Sequence, residues 1–203
     1  TSNLGVNTSS VVEHVLAFML ALSKQLFRMD REVRDGNFAI RYQNLSGDVR
    51  GKTLGVIGFG RIGSELGRLC RQTFGMKVLA FDPFLPEEVK ETYGDWVHFP
   101  DIRELCSNAD VISIHVPLTD RTRNMMGEQE LSWMKPEAIL INTSRGSLID
   151  EDALFHVLKE KKIAVAGLDV FSKEPVPADN PLLGLDNILL SPHSAALTRE
   201  CVI

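Results

Sequence analysis

Gly51-Lys52-Thr53-Leu54-Gly55-Val56-Ile57-Gly58-Phe59-Gly60-Arg61-Ile62-Gly63 is the stretch on which the fold turns. An apolar run, Thr53–Ile57, is followed at once by the spacing G-x-G-x-x-G, and then by Ile62, Leu66 and Leu69 at helical intervals. Strand, glycine turn and helix in that order make the first βα unit of a dinucleotide-binding sheet. The glycines Gly58, Gly60 and Gly63 let the backbone turn tightly and approach a pyrophosphate at the positive end of the helix. The next apolar run ends in Asp82, nineteen residues after Gly63, where a carboxylate can accept hydrogen bonds from ribose hydroxyls. A glycine-rich turn without a ligand would explain the spacing alone, but not strand, glycines, helix and acid together. Asp82 would repel a 2′-phosphate, and Pro83 and Phe84 stand where a compensating Arg could have been. NAD is therefore preferred over NADP.

Downstream the same rhythm continues. Apolar runs at 54–58, 77–81, 111–116, 138–142, 163–169 and 187–190 read as strands, with helical segments clearest at 61–74, 127–134 and 150–161. The runs are continuous rather than alternating, as in a parallel sheet buried on both faces. Alternating β and α elements predict the α/β class: a doubly wound, Rossmann-type sheet with right-handed crossovers. Upstream, Val11, Val15, Phe18, Leu22 and Leu26 recur at helical spacing. Ser10 and Glu13 have the spacing of a capping box and Gly36 is a plausible stop, so one long amphipathic helix is predicted over 10–35. The division that follows is a linker and long interdomain helix at 1–36, a dinucleotide-binding domain at 37–193, and the start of a C-terminal helix at 194–203. The Pro-rich segment 171–185 reads as a loop long enough to carry function.

Composition narrows the classes. The chain has 203 residues, 44% hydrophobic and 24% charged, which is ordinary for a globular protein. A net charge of −5 gives no electrostatic reason to expect nucleic acid or an anionic membrane as partner. The longest apolar run, 15–22, is too short to span a bilayer, and no secretory leader is expected. Cys70, Cys106 and Cys201 make neither a disulfide framework nor a zinc-ligand spacing, so no metal is expected and a reduced, cytoplasmic setting is the default. Thr1 and Ile203 both read as cut edges.

Three later segments each place one chemically capable residue at or beyond the carboxyl end of a strand. They are Arg145 in Asn142-Thr143-Ser144-Arg145-Gly146, Glu174 in Asp169-Val170-Phe171-Ser172-Lys173-Glu174-Pro175, and His193 in Ser191-Pro192-His193-Ser194-Ala195. That edge is where open α/β sheets bind ligands. Arg offers a planar fork of donors to a carboxylate and a neighbouring carbonyl. His can give a proton to an oxygen that becomes alkoxide as hydride arrives, and a Glu beside it favours the imidazolium and fixes its orientation. Singly, Arg145 reads equally as a surface ion-pair residue, Glu174 as a solvated loop residue and His193 as a helix cap. Their shared edge with a cofactor loop is the case for chemistry.

The same motifs, together with Asn7-Thr8-Ser9-Ser10-Val11-Val12-Glu13-His14, His115-Val116-Pro117-Leu118-Thr119 and Ala166-Gly167-Leu168-Asp169-Val170-Phe171, resemble in kind and in order those of the D-isomer-specific 2-hydroxyacid dehydrogenases. That family includes phosphoglycerate, glycerate and D-lactate dehydrogenases and glyoxylate reductases. The resemblance implies that Arg145 binds the substrate carboxylate and carbonyl, that His193 is the acid/base and that Glu174 is its partner. It places Arg61 and Ile62 along the pyrophosphate, Asp82 on the ribose and Asp169 on the nicotinamide carboxamide. Thr143 and the Val116–Pro117 backbone fall near the cofactor. It further implies a small 2-keto or 2-hydroxy acid as substrate, a homodimer formed through this domain and its long helix, and a separate substrate domain largely absent from these residues. Glu174 argues against the formate dehydrogenase branch, which has Gln there. Thr8 and Val12 depart from the usual Ala. Relatives that act as corepressors keep the same three residues, so a nicotinamide-responsive interaction module is the alternative. His14 and His156 read as helix residues, His98 as a loop residue, and His115 and Cys70 as packing residues.

Overall fold

The computed structural model describes residues 7–43 and 45–202. Seven parallel strands form one sheet in the order β3-β2-β1-β4-β5-β6-β7. They are β1 (Thr53–Ile57), β2 (Lys77–Phe81), β3 (Val97–His98), β4 (Val111–Ile114), β5 (Ile139–Asn142), β6 (Val165–Leu168) and β7 (Ile188–Leu190). The order reverses between β1 and β4, which opens a crevice at their carboxyl ends. Register keeps those ends level: Ile57 lies opposite Phe81 and Ile114, Asn142 opposite Ile114 and Leu168, and Leu168 opposite Leu190. Whatever follows each strand therefore arrives on one edge.

Helices cover both faces. On one, Val12, Val15, Phe18, Met19 and Leu22 of α1 (Asn7–Ser23) join Leu66 and Cys70 of α3 (Arg61–Phe74) over the sheet. On the other, Leu105 of α5 (Ile102–Asn108), Leu131 of α6 (Glu128–Ser132) and Leu154, Val157 and Leu158 of α7 (Glu151–Lys159) do the same. Burial of each large aliphatic side chain contributes about 1.5–3 kcal/mol, so the central strands are held from both sides. Cys70 is a core residue, as the spacing predicts.

The single helix predicted over 10–35 is two. α1 ends at Ser23, Gln25 takes a left-handed backbone at φ 52, and α2 (Leu26–Arg34) leaves at 57°. Leu26 is 56% exposed instead of continuing the buried stripe. Ser10 lies inside α1, and its hydroxyl pairs with Thr198 Oγ1 and Cys201 Sγ, each at 3.1 Å, so it is no cap. Gly36 does end the helical stretch, at φ +82. β3, α4 (Glu87–Tyr93) and α5 were not anticipated, and His98 belongs to β3 instead of a loop. Strands β4 and β6 end at Ile114 and Leu168, short of the predicted runs, and His115 and Asp169 follow them at the edge that matters. Among the described residues no single helix is long and apolar enough to cross a membrane. The bent pair α1–α2 passes that test only jointly, and α1 lies on the sheet.

Candidate active site

The glycine loop leaves β1 at that edge. Gly58 has φ +93, and a Cβ there would sit 2.6 Å from the His115 carbonyl oxygen, so only glycine fits. A Cβ at Gly63 would lie 2.2 Å from the Gly58 oxygen, which is how α3 closes onto the turn. Gly60, the N-cap of α3, has no side-chain cap and nothing within 4 Å of where a Cβ would be. A pyrophosphate would find space and a helix N-terminus there, with Arg61 and Ile62 opening the helix. Phe59, between the glycines, is 3% exposed and makes edge-on contacts with Tyr93 and Phe99 at 5.1 and 5.4 Å, which pins the loop. Its N–H donates to Asp82 Oδ2 at 3.0 Å, and Phe84 N–H donates to Oδ1 at 3.0 Å. Each carboxylate oxygen keeps a lone pair for a ribose hydroxyl.

Two buried polar atoms at this edge have no partner among the described residues, Thr143 Oγ1 after β5 and His115 Nδ1 after β4. An unmet buried group costs about 1–3 kcal/mol, so such atoms point to a ligand. His115 Nε2 pairs with Ser113 Oγ at 2.8 Å, and burial pushes the imidazole down to about 4, leaving it neutral. Val116 packs where a Gly58 side chain would be, and the exposed Pro117 follows it. These features fit a dinucleotide.

The other half of the edge holds the three candidate catalytic residues. His193 Nδ1 lies 2.7 Å from Glu174 Oε2, and Glu174 Oε1 accepts Phe171 N–H at 3.0 Å. Burial would raise the Glu174 carboxyl. The His193 hydrogen bond, the Phe171 N–H and the His193 charge outweigh it and hold the carboxyl below its ordinary range. Glu174 is thus an anion that orients an imidazole whose Nε2 is left to carry a proton. Arg145 is exposed on the loop after β5, with Nη1 donating to its own Ser144 carbonyl at 2.6 Å. That loop is braced by Asn142, whose amide donates to the Arg145 carbonyl at 2.8 Å and accepts Ser144 N–H at 3.0 Å. Asp169 is wholly buried after β6 and accepts Ser194 N–H at 2.8 Å and Ala195 N–H at 2.9 Å.

The sequence reading gave no role in the site to Gly146, His14, Ser191 or Glu151. A Cβ at Gly146 would lie 1.8 Å from the Phe171 carbonyl carbon, so this glycine seats the Arg145 loop on the Glu174 loop. Glu151 accepts Ser172 N–H at 2.5 Å and the Asn180 amide at 3.1 Å, bracing the Pro-rich loop. Gly146 directly follows Arg145, which was the available signal. A cavity of about 590 Å³ lies at the opposite, amino edge, against Lys52, Val111, Ile139 and Val165, and none of the candidate residues lines it. Among the described residues no group of three or more His, Cys, Asp or Glu could hold a metal ion.

A sequence model of the D-isomer specific 2-hydroxyacid dehydrogenase, NAD binding domain, matches residues 16–195. The chain belongs to this family. This NAD-binding domain is 41% identical over 203 residues to a glyoxylate reductase of Korarchaeum cryptofilum, covering 98% of the chain and 60% of that protein. It is 44% identical over 192 residues to a D-3-phosphoglycerate dehydrogenase of Methanocaldococcus jannaschii, covering 94% and 36%. A solved D-lactate dehydrogenase of Aquifex aeolicus, complexed with NAD and lactic acid, superposes with a TM-score of 0.85 at 37% identity, over 95% of this chain and 61% of that one. The domain thus spans 36–61% of the length of these relatives.

Proposed function

We propose that this NAD-binding domain serves reversible hydride transfer between nicotinamide and a small D-2-hydroxy acid, in an NAD-dependent oxidoreductase of the CH–OH class. The observation that carries the reading is the 2.7 Å His193–Glu174 pair standing on the same sheet edge as the glycine loop. NADH, when bound, supplies the hydride. Gly58, Gly60, Gly63, Arg61 and Ile62 would hold its pyrophosphate and Asp82 its ribose, with Thr143, Val116 and Pro117 alongside and Asp169 as the residue for the carboxamide. Arg145 swings from its own backbone to grip the carboxylate and carbonyl of the keto acid with two parallel hydrogen bonds. His193, with Nδ1–H donated to Glu174, delivers a proton from Nε2 to the carbonyl oxygen and takes it back in the reverse direction. The likeness to proteins named glyoxylate reductase and phosphoglycerate dehydrogenase supports short, anionic substrates.

The test is steady-state reduction of glyoxylate and hydroxypyruvate by NADH with the full-length protein. His193→Asn should lower kcat at least about a hundredfold, the lower range for general acid–base catalysis, and Arg145→Ala should raise KM and lower kcat/KM together. Wild-type kcat in His193→Asn would remove it from the chemistry. A second copy of the chain is the proposed partner. Val33, Phe38 and Tyr42 on and after α2 are 51%, 61% and 74% exposed, more apolar surface than a lone domain needs to show. Light scattering should give a dimer mass, and Phe38→Asp with Tyr42→Asp a monomer. Cys70 and Cys106 are buried free thiols, which fits a reducing, cytoplasmic setting.

A further inference from the structure

Helix α1 crosses one face of the sheet and brings its early turns to the edge that carries His193. His14 sits one turn before the buried Phe18, with the two rings 4.6 Å apart between centroids. Its Nε2 is 2.9 Å from Ser191 Oγ and 3.7 Å from Asp169 Oδ1. Ser191 Oγ is hydrogen-bonded to the same Asp169 oxygen. Both Asp169 oxygens accept backbone N–H groups and Oδ1 also accepts the serine hydroxyl, so Ser191 Oγ is left to accept Nε2–H from His14. The donors therefore run in one direction, His14 to Ser191 to Asp169.

What Asp169 holds is the loop of the acid/base. Its side chain accepts Ser194 N–H and Ala195 N–H, and its carbonyl accepts His193 N–H at 2.7 Å. Between these bonds His193 is kept at φ +53, a left-handed backbone that costs an L residue on the order of 1–3 kcal/mol and persists only where its surroundings enforce it. A hydrophobic ring could pack on Phe18 as well as His14 does. It could not fix the Ser191 rotor.

We propose that His14 is a positioning residue for hydride transfer: by donating to Ser191 it locks the Asp169 carboxylate that sets the backbone of His193. This rests on the reading of His193 as the acid/base, and the test separates the two. Reduction of glyoxylate by NADH is measured on the full-length protein as a function of pH for wild type, His14→Phe, His14→Gln, Ser191→Ala, the His14→Phe/Ser191→Ala double variant and His193→Asn. His14→Phe keeps the ring packing and loses the donor; kcat should fall about tenfold, with KM for glyoxylate within about twofold and a displaced pH profile. His14→Gln restores a donor and should recover at least about half of the wild-type kcat. The double variant should be about as slow as the slower single variant, because both break one chain of bonds. A wild-type rate and profile in His14→Phe, no rescue by Gln, or effects that multiply in the double variant would overturn the proposal. Undiminished turnover by His193→Asn would instead overturn the acid/base reading beneath it.

Discussion

Replacing Glu174 with Gln removes one charge while keeping the shape of the side chain, so its consequences can be worked from the bonds present. The carboxylate accepts at both oxygens, from His193 Nδ1–H at 2.7 Å and from Phe171 N–H at 3.0 Å. An amide has one accepting oxygen. If that oxygen stays on His193, the NH2 confronts Phe171 N–H; if it stays on Phe171, the NH2 donates to Nδ1 and ties the imidazole to its neutral form. Either way the imidazolium loses a charge-assisted hydrogen bond, ordinarily about 1.5–3 kcal/mol. The His193 and Glu174 side chains are 47% and 37% exposed, and water screens the pair, so about 1–2 kcal/mol is the appropriate figure. At about 1.4 kcal/mol per factor of ten, kcat for glyoxylate reduction at neutral pH should fall about 5- to 30-fold. KM should stay within about twofold, because on the proposed reading Arg145 and not Glu174 meets the carboxylate. The acid limb of the pH–rate profile in the wild type should lie below the ordinary carboxylate range, since burial, which raises the Glu174 carboxyl, is outweighed by the His193 and Phe171 bonds that lower it. The assay is NADH consumption across about pH 3–9. An unchanged kcat with an unmoved profile would refute the pairing as a functional one.

Asp82→Ala should weaken NADH binding in calorimetry by about tenfold, or 1.4 kcal/mol, and erase the preference over NADPH; unaltered discrimination would take Asp82 off the ribose. Gly146→Ala sets a methyl group against the Phe171 and Ser172 backbone at 1.8–2.3 Å, which no rotamer relieves. It should lower stability by at least about 2 kcal/mol in urea unfolding or displace the Glu174 loop and abolish turnover, and a stable, active variant would contradict the close approach. His115 is held near 4 by burial against an ordinary 6.5, so between those values the unfolded chain binds the proton and the folded one does not. Stability should fall by roughly 3 kcal/mol as pH drops from about 6.5 to about 4, and His115→Asn should show a correspondingly shallower acid slope in urea titrations; parallel slopes would show that the imidazole is not enclosed.

The parts of this molecule legible in the sequence are those fixed by local repetition. Continuous apolar runs mark β1, β2, β4, β5, β6 and β7 because a strand buried on both faces needs apolar side chains on both, and the glycine spacing marks the turn because backbone must meet backbone there. What escaped was decided by distant contacts or by too few residues. β3 is two residues long, and two residues have no period. α5 is the exception, missed although its start was legible: Asp101 caps it by accepting Glu104 N–H at 2.8 Å, the D-x-x-E spacing of a helix start. The break at Gln25 could not be read, since Gln is an ordinary helix former and the left-handed turn answers to packing, with Gly47 N–H bonding to the Ser23 carbonyl across it at 3.0 Å. The His14–Ser191 bond joins residues 177 apart. No motif of neighbours encodes that.

The two halves of the site are built on one scheme. Immediately after β2, Asp82 accepts backbone N–H groups from Phe59 and Phe84, and immediately after β6, Asp169 accepts them from Ser194 and Ala195. In each case a strand's last turn delivers an acid that ties down the loop arriving from a neighbouring strand, the glycine loop after β1 and the His193 loop after β7. The halves differ in exposure. Asp82 is half-buried and keeps lone pairs toward the crevice, so it can hold its loop and still meet a ribose; Asp169 is wholly enclosed and shares one oxygen among Ser191, Ser194 and, at longer range, His14. An acid so engaged holds the His193 loop from inside the fold. A carboxylate enclosed in this way keeps the turn that carries His193 in a fixed place, and on the proposed reading the same strand end lies beside the nicotinamide half, which gives a reason for burying an acid at this position.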